Sequence, residues 1–341
     1  MSFRPDSIYF VYGPINSGKT ELFQHLIELL PDDFVTFYVN LRERMIRDYN
    51  DFVEAIFEIS ESKRVVLKEL VAEVTKFAGI PISKSLLDVI FKEDRPKNAF
   101  RYIVKVTEEI RERGKKPILI IDELQKIGDV KVNDYLIYEL FNLFVRLTKE
   151  LHCCYVFTIT SDSLFIERVF NEAMLQGRCD YMFVDDFDYS TTVGFLKRYG
   201  FDDEEIEITW NYFGGKPIYL VKAIKNRHRL KEFCEESLED RTSFILYRLR
   251  GLEEEDGELF QRVLSLFEIF LESETTKCDK ISKEVVWSVK SNILFLDPRK
   301  RLLRPQSKLD LLAVRNVLEI LSKKILNFKS AKSHKATRLE L

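Results

Sequence analysis

The stretch YFVYGPINSGKTELF, residues 9–23, decides the fold. A run of apolar and aromatic residues leads into Gly13-Pro14-Ile15-Asn16-Ser17-Gly18-Lys19-Thr20, which satisfies G-x-x-x-x-G-K-[ST] at every position. SIYFVYG (7–13) reads as a buried strand, and TELFQHLIELL (20–30) reads as an amphipathic helix stopped by Pro31. That strand–loop–helix context is the one a phosphate-binding loop requires. Glycines let backbone N–H groups turn inward around phosphate oxygens, and the helix N-terminus adds its positive dipole end. Lys19 is placed to reach the β and γ oxygens, and the Thr20 hydroxyl is suited to Mg²⁺. Gly13 to Thr20 are therefore the expected phosphate contacts.

Working outward, FVTFYVNL (34–41), PILIIDE (117–123), CYVFTIT (154–160) and YMFVDDF (181–187) repeat the short apolar run expected of parallel strands buried on both faces. Helical patterns separate them, so the first ~190 residues predict a doubly wound α/β core, a parallel sheet flanked by helices. Residues 50–114 read as mostly helical, with Phe52, Ile56, Phe57, Phe100, Ile103, Val104 and Val106 at helical spacing. Beyond Tyr189 the pattern is helical to about Phe270, and NILFLDPRKRLLRP (292–305) reads as a hairpin turned at Asp-Pro-Arg-Lys.

The run ILIIDE places Asp122 and Glu123 at the end of a buried strand. A carboxylate there can hold the shell of a magnesium ion, and its neighbour can polarise water, so the pair predicts ATP hydrolysis. No Asn-Lys-x-Asp guanine motif occurs, which favours ATP over GTP, and a water-activating Glu123 argues against a small-molecule kinase. TITSDS offers Thr160 and Ser161 as sensors of the γ-phosphate. Arg178, just ahead of the following strand, is a candidate arginine finger for a neighbouring subunit, which would make the chain a homo-oligomer. In YFGGKPIYL, Gly214, Gly215 and Pro217 account for a turn into a helix, and Lys216 is a further candidate nucleotide contact.

Composition narrows the classes. The 341 residues are 45% hydrophobic, enough for a core in each of two or three domains. Five cysteines without a Cys-x-x-Cys pair suggest neither a disulfide framework nor a zinc knuckle, and four scattered histidines have no metal spacing. With no apolar run near the ~20 residues of a membrane span and no signal-peptide h-region, a cytoplasmic location without membrane contact is expected. The net charge of −3 hides a division. Residues 280–341 hold 15 Lys+Arg against 5 Asp+Glu, a net of +10, which leaves −13 for the preceding chain. The basic end suits nucleic acid or another polyanion, or forms a solvated face.

GPINSGKT, FYVNLRER, LIIDELQ, TSDS, QGRCD, FGGKP and VKSNILFLDPRKRLLRPQSKL together resemble the archaeal ATPase family, a branch of the AAA+ and STAND P-loop ATPases. The resemblance implies an AAA+-like P-loop NTPase core, a small all-α lid and a winged-helix domain, with ATP binding as the shared activity. In that scheme Gly13 to Thr20 are the Walker A loop, Asp122 and Glu123 the Walker B pair, and Thr160 or Ser161 the sensor. The expected division is residues 1–189 for the core, 190–254 for the lid, 255–328 for the winged helix and 329–341 for a basic, disordered tail. Family members usually carry a Phe-x-x-Arg-x-x-Glu-Leu box before the first strand, whereas here the strand begins by residue 7, so selectivity for adenine is the open feature.

Read from its residues, the C-terminal part agrees. ISKEVVWSVKSN (281–292) sets Ile281, Val285, Val286 and Val289 on one helical stripe, followed by the hairpin and a helix from about Ser307 to Asn327. The wing would carry Arg299, Lys300, Arg301 and Arg304, and the tail adds Lys329, Lys332, Lys335 and Arg338. Such cations suit DNA phosphates. Three functions stand: an ATPase switch contacting DNA through residues 280–341, a signalling or chaperone-like ATPase with a protein partner, and an ATP-binding DNA-associated regulator with little turnover.

Overall fold

The apolar run ahead of the loop forms strand β1 (Ile8–Tyr12), all five residues of which are buried. In the computed structural model, which describes residues 3–43, 45–60, 75–93, 96–128, 130–132 and 134–337, the chain divides into two units. One comprises Met1–Gly13 and Gly18–Val184, the other Pro14–Ser17 and Asp185–Leu341.

After β1 the strands of the first unit are β2 (Phe34–Asn40), β3 (Phe57–Ser60), β4 (Lys76–Phe77), β5 (Ile80–Ser83), β6 (Lys116–Asp122), β7 (Lys131–Val132), β8 (Asp134–Tyr135), β9 (Tyr155–Thr160) and β10 (Cys179–Phe183). Six of them build one sheet in the order β10-β1-β9-β6-β2-β4. Each neighbouring pair in it is parallel. The register sets Tyr12 opposite Thr160 and Asn40 opposite Asp122, so the carboxyl ends of β1, β2, β6 and β9 share one edge. Ligands of open α/β sheets bind at that edge. Tyr9 stacks on Phe157 with ring centroids 5.0 Å apart, and Phe23, from the helix Lys19–Leu29, meets the same ring edge-on at 5.4 Å. The helix that begins with Lys19 is thus fastened to the sheet by aromatic burial, worth about 1.5–3 kcal/mol per side chain.

The described residues of segment 50–114 are mostly helical, as their spacing predicts, with 61–74 and 94–95 outside the described residues, but the segment also holds strands that the spacing does not show, Phe57 lying in one of them. Helices Tyr49–Ile56, Lys84–Glu93 and Pro96–Glu112 are present, but β3, β4 and β5 interrupt them. β3 and β5 pair parallel in a separate two-stranded sheet, and β4 joins the edge of the main one. Ile80 and Ile82 alternate with Pro81, a strand period that a helical reading of the surrounding apolar residues hides; Pro81 is tolerated where strands are short and at an edge.

The second unit opens with helices Tyr189–Arg198, Asp203–Phe213, Pro217–Lys225, Leu230–Glu255 and Gly257–Glu268. Leu196, Phe201, Ile206, Phe213, Leu220 and Leu309 are among the residues of their buried core. Helix starts are written locally: Asp202 and Glu205 form a reciprocal capping box, and Pro217 occupies the first turn of its helix. Gly215 is dictated by packing, since a Cβ there would lie 1.7 Å from the Phe187 carbonyl oxygen. A three-stranded antiparallel sheet follows, β11 (Thr276–Lys277), β12 (Leu294–Asp297) and β13 (Leu302–Pro305), ordered β11-β13-β12. Helix Lys283–Lys290 precedes β12, and helix Lys308–Thr337 follows β13, continuing past Asn327. Among the described residues no helix is long and apolar enough to cross a membrane.

Candidate nucleotide-binding site

In the first unit the site is built on the shared carboxyl edge of the sheet. Gly18 stands at φ +85°, a left-handed conformation that glycine adopts without strain, immediately before the helix that opens on Lys19. Lys19 is buried, and its Nζ donates to the Gly13 carbonyl at 3.0 Å, across the mouth of the loop. The Thr20 hydroxyl donates to Asp122 Oδ2 at 2.8 Å. These hard oxygen donors, one from each motif, suit Mg²⁺. Asp122 is 2% exposed and also accepts from the Tyr38 hydroxyl at 2.8 Å and from the Glu123 N–H at 2.9 Å. Burial, with the Asp122 carboxylate beside it, pushes the Tyr38 phenol far above its ordinary pKa, so Tyr38 remains a donor.

Glu123 sits at φ +61°, uncommon for a residue with a side chain and characteristic of functional corners. One carboxylate oxygen, Oε1, accepts from Arg42 Nη2 at 2.5 Å, and the other, Oε2, accepts from Gln125 Nε2 at 2.6 Å. The Gln125 carbonyl accepts from the Thr160 hydroxyl at 2.7 Å. Thus Lys19, Thr20, Asp122, Glu123 and Thr160 are gathered at one edge. Ser161 is half-buried one residue beyond Thr160.

Arg178 is not among them. It precedes β10, whose first residue, Cys179, pairs with Ile8 at the start of β1, so Arg178 stands at the opposite edge of the sheet. There its side chain is exposed and donates to the Met174 carbonyl at 3.0 Å.

The loop tip Pro14–Ser17 groups with the second unit. Asn16 adopts φ +60°, which asparagine tolerates better than most residues. The Ile15 N–H donates to Gln306 Oε1 at 3.2 Å, and the Ile15 carbonyl accepts from Lys216 Nζ at 3.0 Å. Lys216 is buried with its ammonium 2.9 Å from Asp186 Oδ1. Burial pulls the Lys216 ammonium below its usual pKa and pushes the Asp186 carboxyl up, while each opposes the shift of the other. Lys216 therefore holds the backbone of the tip.

Four residues of these networks escape a sequence reading: Tyr38, Arg42, Gln125 and Gln306. Tyr38 is 84 residues from Asp122 and Gln306 is 291 from Ile15. Only Gln125, two residues after Glu123, has a local signal, its place in the turn that directly follows the strand-end acids.

A profile described as an ATPase domain predominantly from Archaea matches residues 1–223. The chain belongs to this archaeal ATPase family. A second profile, described as the C-terminal domain of uncharacterized ATP-binding proteins of the MJ1010-like type, matches residues 231–318. An uncharacterized ATP-binding protein of Pyrococcus abyssi is 52% identical over 326 residues, covering 94% of the chain and 95% of that relative. Another, from Methanocaldococcus jannaschii, is 50% identical over 337 residues, covering 94% and 93%. Among solved structures, a Walker-type ATPase of Pyrococcus abyssi superimposes with a TM-score of 0.63 at 17% identity, over 92% of this chain and 91% of that one, a likeness of fold.

Proposed function

We propose that this archaeal ATPase hydrolyses ATP with Mg²⁺ at the edge formed by Lys19, Thr20, Asp122 and Glu123, and that the nucleotide state switches what its C-terminal unit binds. The observation that carries the reading is the 2.8 Å contact between Thr20 Oγ1 and Asp122 Oδ2 with Glu123 adjoining it, because it joins the two motifs that hydrolysis needs. Mg²⁺ bound by Thr20 and the Asp122 shell would neutralise charge on the β and γ oxygens. Lys19 leaves the Gly13 carbonyl for those oxygens, Glu123 takes the proton of the attacking water, and Thr160 or Ser161 orients the γ-phosphate. An arginine finger at Arg178 would act only on the site of a neighbouring copy. The test is phosphate release from ATP with Mg²⁺ and with EDTA. Lys19→Ala should lower turnover by about 10²–10³-fold, the loss typical of removing one preorganised charge donor; full activity in that variant or in EDTA would refute the reading.

For the C-terminal unit we favour DNA. The order β11-β13-β12 with helix Lys283–Lys290 ahead of the hairpin has the form of a winged helix. Asp297 Oδ1 accepts from the backbone N–H groups of Arg299 and Lys300, which sets the turn so that Arg299, Lys300 and Arg301 are exposed at its tip. Arg304 is instead committed to Asp185 and the face of Phe295. Of Lys329, Lys332 and Lys335 only the backbone is described, and Arg338 lies outside the described residues. A protein partner is the second reading, favoured by Phe244 and Tyr247 exposed on helix Leu230–Glu255.

A further inference from the structure

We infer that Gln125 is a positioning residue that fixes the Glu123 carboxylate and couples it to Thr160. The inference rests on the hydrolysis reading above. Its basis is the direction of the hydrogen-bond chain, which the chemistry of its members determines. An ionised carboxylate only accepts, so the Gln125 amide must turn Nε2 to Glu123 Oε2, at 2.6 Å, and Oε1 away. The Thr160 hydroxyl oxygen already accepts from the Asp162 N–H at 3.0 Å, and its proton goes to Gln125 Oε1 at 2.7 Å. The order Asp162 N–H to Thr160 to Gln125 to Glu123 therefore has one orientation throughout. The chain bridges the carboxyl ends of β6 and β9, neighbours in the sheet, and Gln125 is the link that spans them.

The two oxygens of Glu123 are held differently. Oε1 is held by Arg42, whose side chain is 64% exposed and whose charge water can solvate, so that contact is inexpensive to exchange for a nucleophilic water. Oε2 is held by Gln125, half-buried, with a partner of its own that is 1% exposed. When Arg42 gives way, Gln125 keeps the carboxylate from rotating, and Oε1 is the oxygen that receives the water proton as the water oxygen bonds to the γ-phosphorus and the bridge to the β-phosphate breaks.

The test is steady-state phosphate release by the full chain, with binding of a fluorescent ATP analogue measured in parallel. Gln125→Ala should reduce kcat by about 10- to 100-fold, the scale of an ångström-sized misplacement, with KM for ATP and analogue binding within about twofold. Thr160→Val should do the same, and the double variant should be no worse than either single one, as expected for two parts of one chain. Glu123→Gln is the control that separates the two readings. If Glu123→Gln is inactive while Gln125→Ala keeps wild-type kcat, or if the Gln125 and Thr160 effects multiply, the role of Gln125 is overturned and the hydrolysis reading stands. If the wild type releases no phosphate, or Glu123→Gln turns over like the wild type, both are overturned.

Discussion

Asp122 in the first unit and Asp310 in the second are both buried carboxylates, 2% and 4% exposed, yet their surroundings differ in kind. Asp122 takes its hydrogen bonds from neutral donors, the hydroxyls of Thr20 and Tyr38 and the Glu123 N–H. Asp310 takes a guanidinium, with Arg241 Nε at 2.6 Å, and holds Ser307 at the start of helix Lys308–Thr337. A buried charge needs compensation. Asp310 has it within its own unit and closes a structural joint, whereas donors that orient Asp122 without neutralising it leave a negative field for a cation to meet. Burial does not separate these two acids; the charge of their partners does.

The largest effect should come from breaking the first member. Asp122→Asn keeps the shape and removes the charge, so turnover should fall by about 10²–10³-fold while the melting temperature stays level or rises, measured by phosphate release and thermal unfolding. Arg241→Ala is the reciprocal change. It strands Asp310 in a site where burial already pushes its carboxyl up and Arg241 opposes that rise, and it should cost about 3 kcal/mol in denaturant unfolding with nucleotide binding in the folded protein retained.

These two acids also mark how much a sequence discloses. The P-loop, the five main strands and the Asp122–Glu123 pair were legible because each depends on neighbours in the chain: an apolar run, a glycine turn, a charge at the end of a strand. Tyr38, Arg42 and Gln306 were not, because a tyrosine in a strand or a glutamine after a hairpin has no local signature, and their roles arise only where the sheet or the helical unit brings distant backbone together. The place of Arg178 away from the edge of its own chain's site was legible too. An arginine just ahead of a parallel strand lies at the amino edge, opposite a loop that leaves the carboxyl edge. The strands within 50–114 were obscured because their short apolar alternation is embedded among longer helical repeats.

The smallest effect on the fold belongs to the hairpin, whose tip residues Arg299, Lys300 and Arg301 are exposed. Replacing Arg299, Lys300 and Arg301 together by alanine should change stability by less than ~0.5 kcal/mol. If the hairpin meets DNA phosphates, the same change should reduce the slope of log affinity for duplex DNA against log salt by up to about 3. An unchanged slope would assign DNA contact elsewhere or remove it.

The central claim is that the Gly13–Thr20 loop and the Asp122–Glu123 pair form one hydrolytic site. Glu123→Gln tests it most directly, with ATP affinity and phosphate release measured on the same preparation in the presence of Mg²⁺. The account predicts ATP bound at least as tightly as by the wild type, with phosphate release reduced by about 10²-fold or more. Phosphate release at the wild-type rate would contradict it.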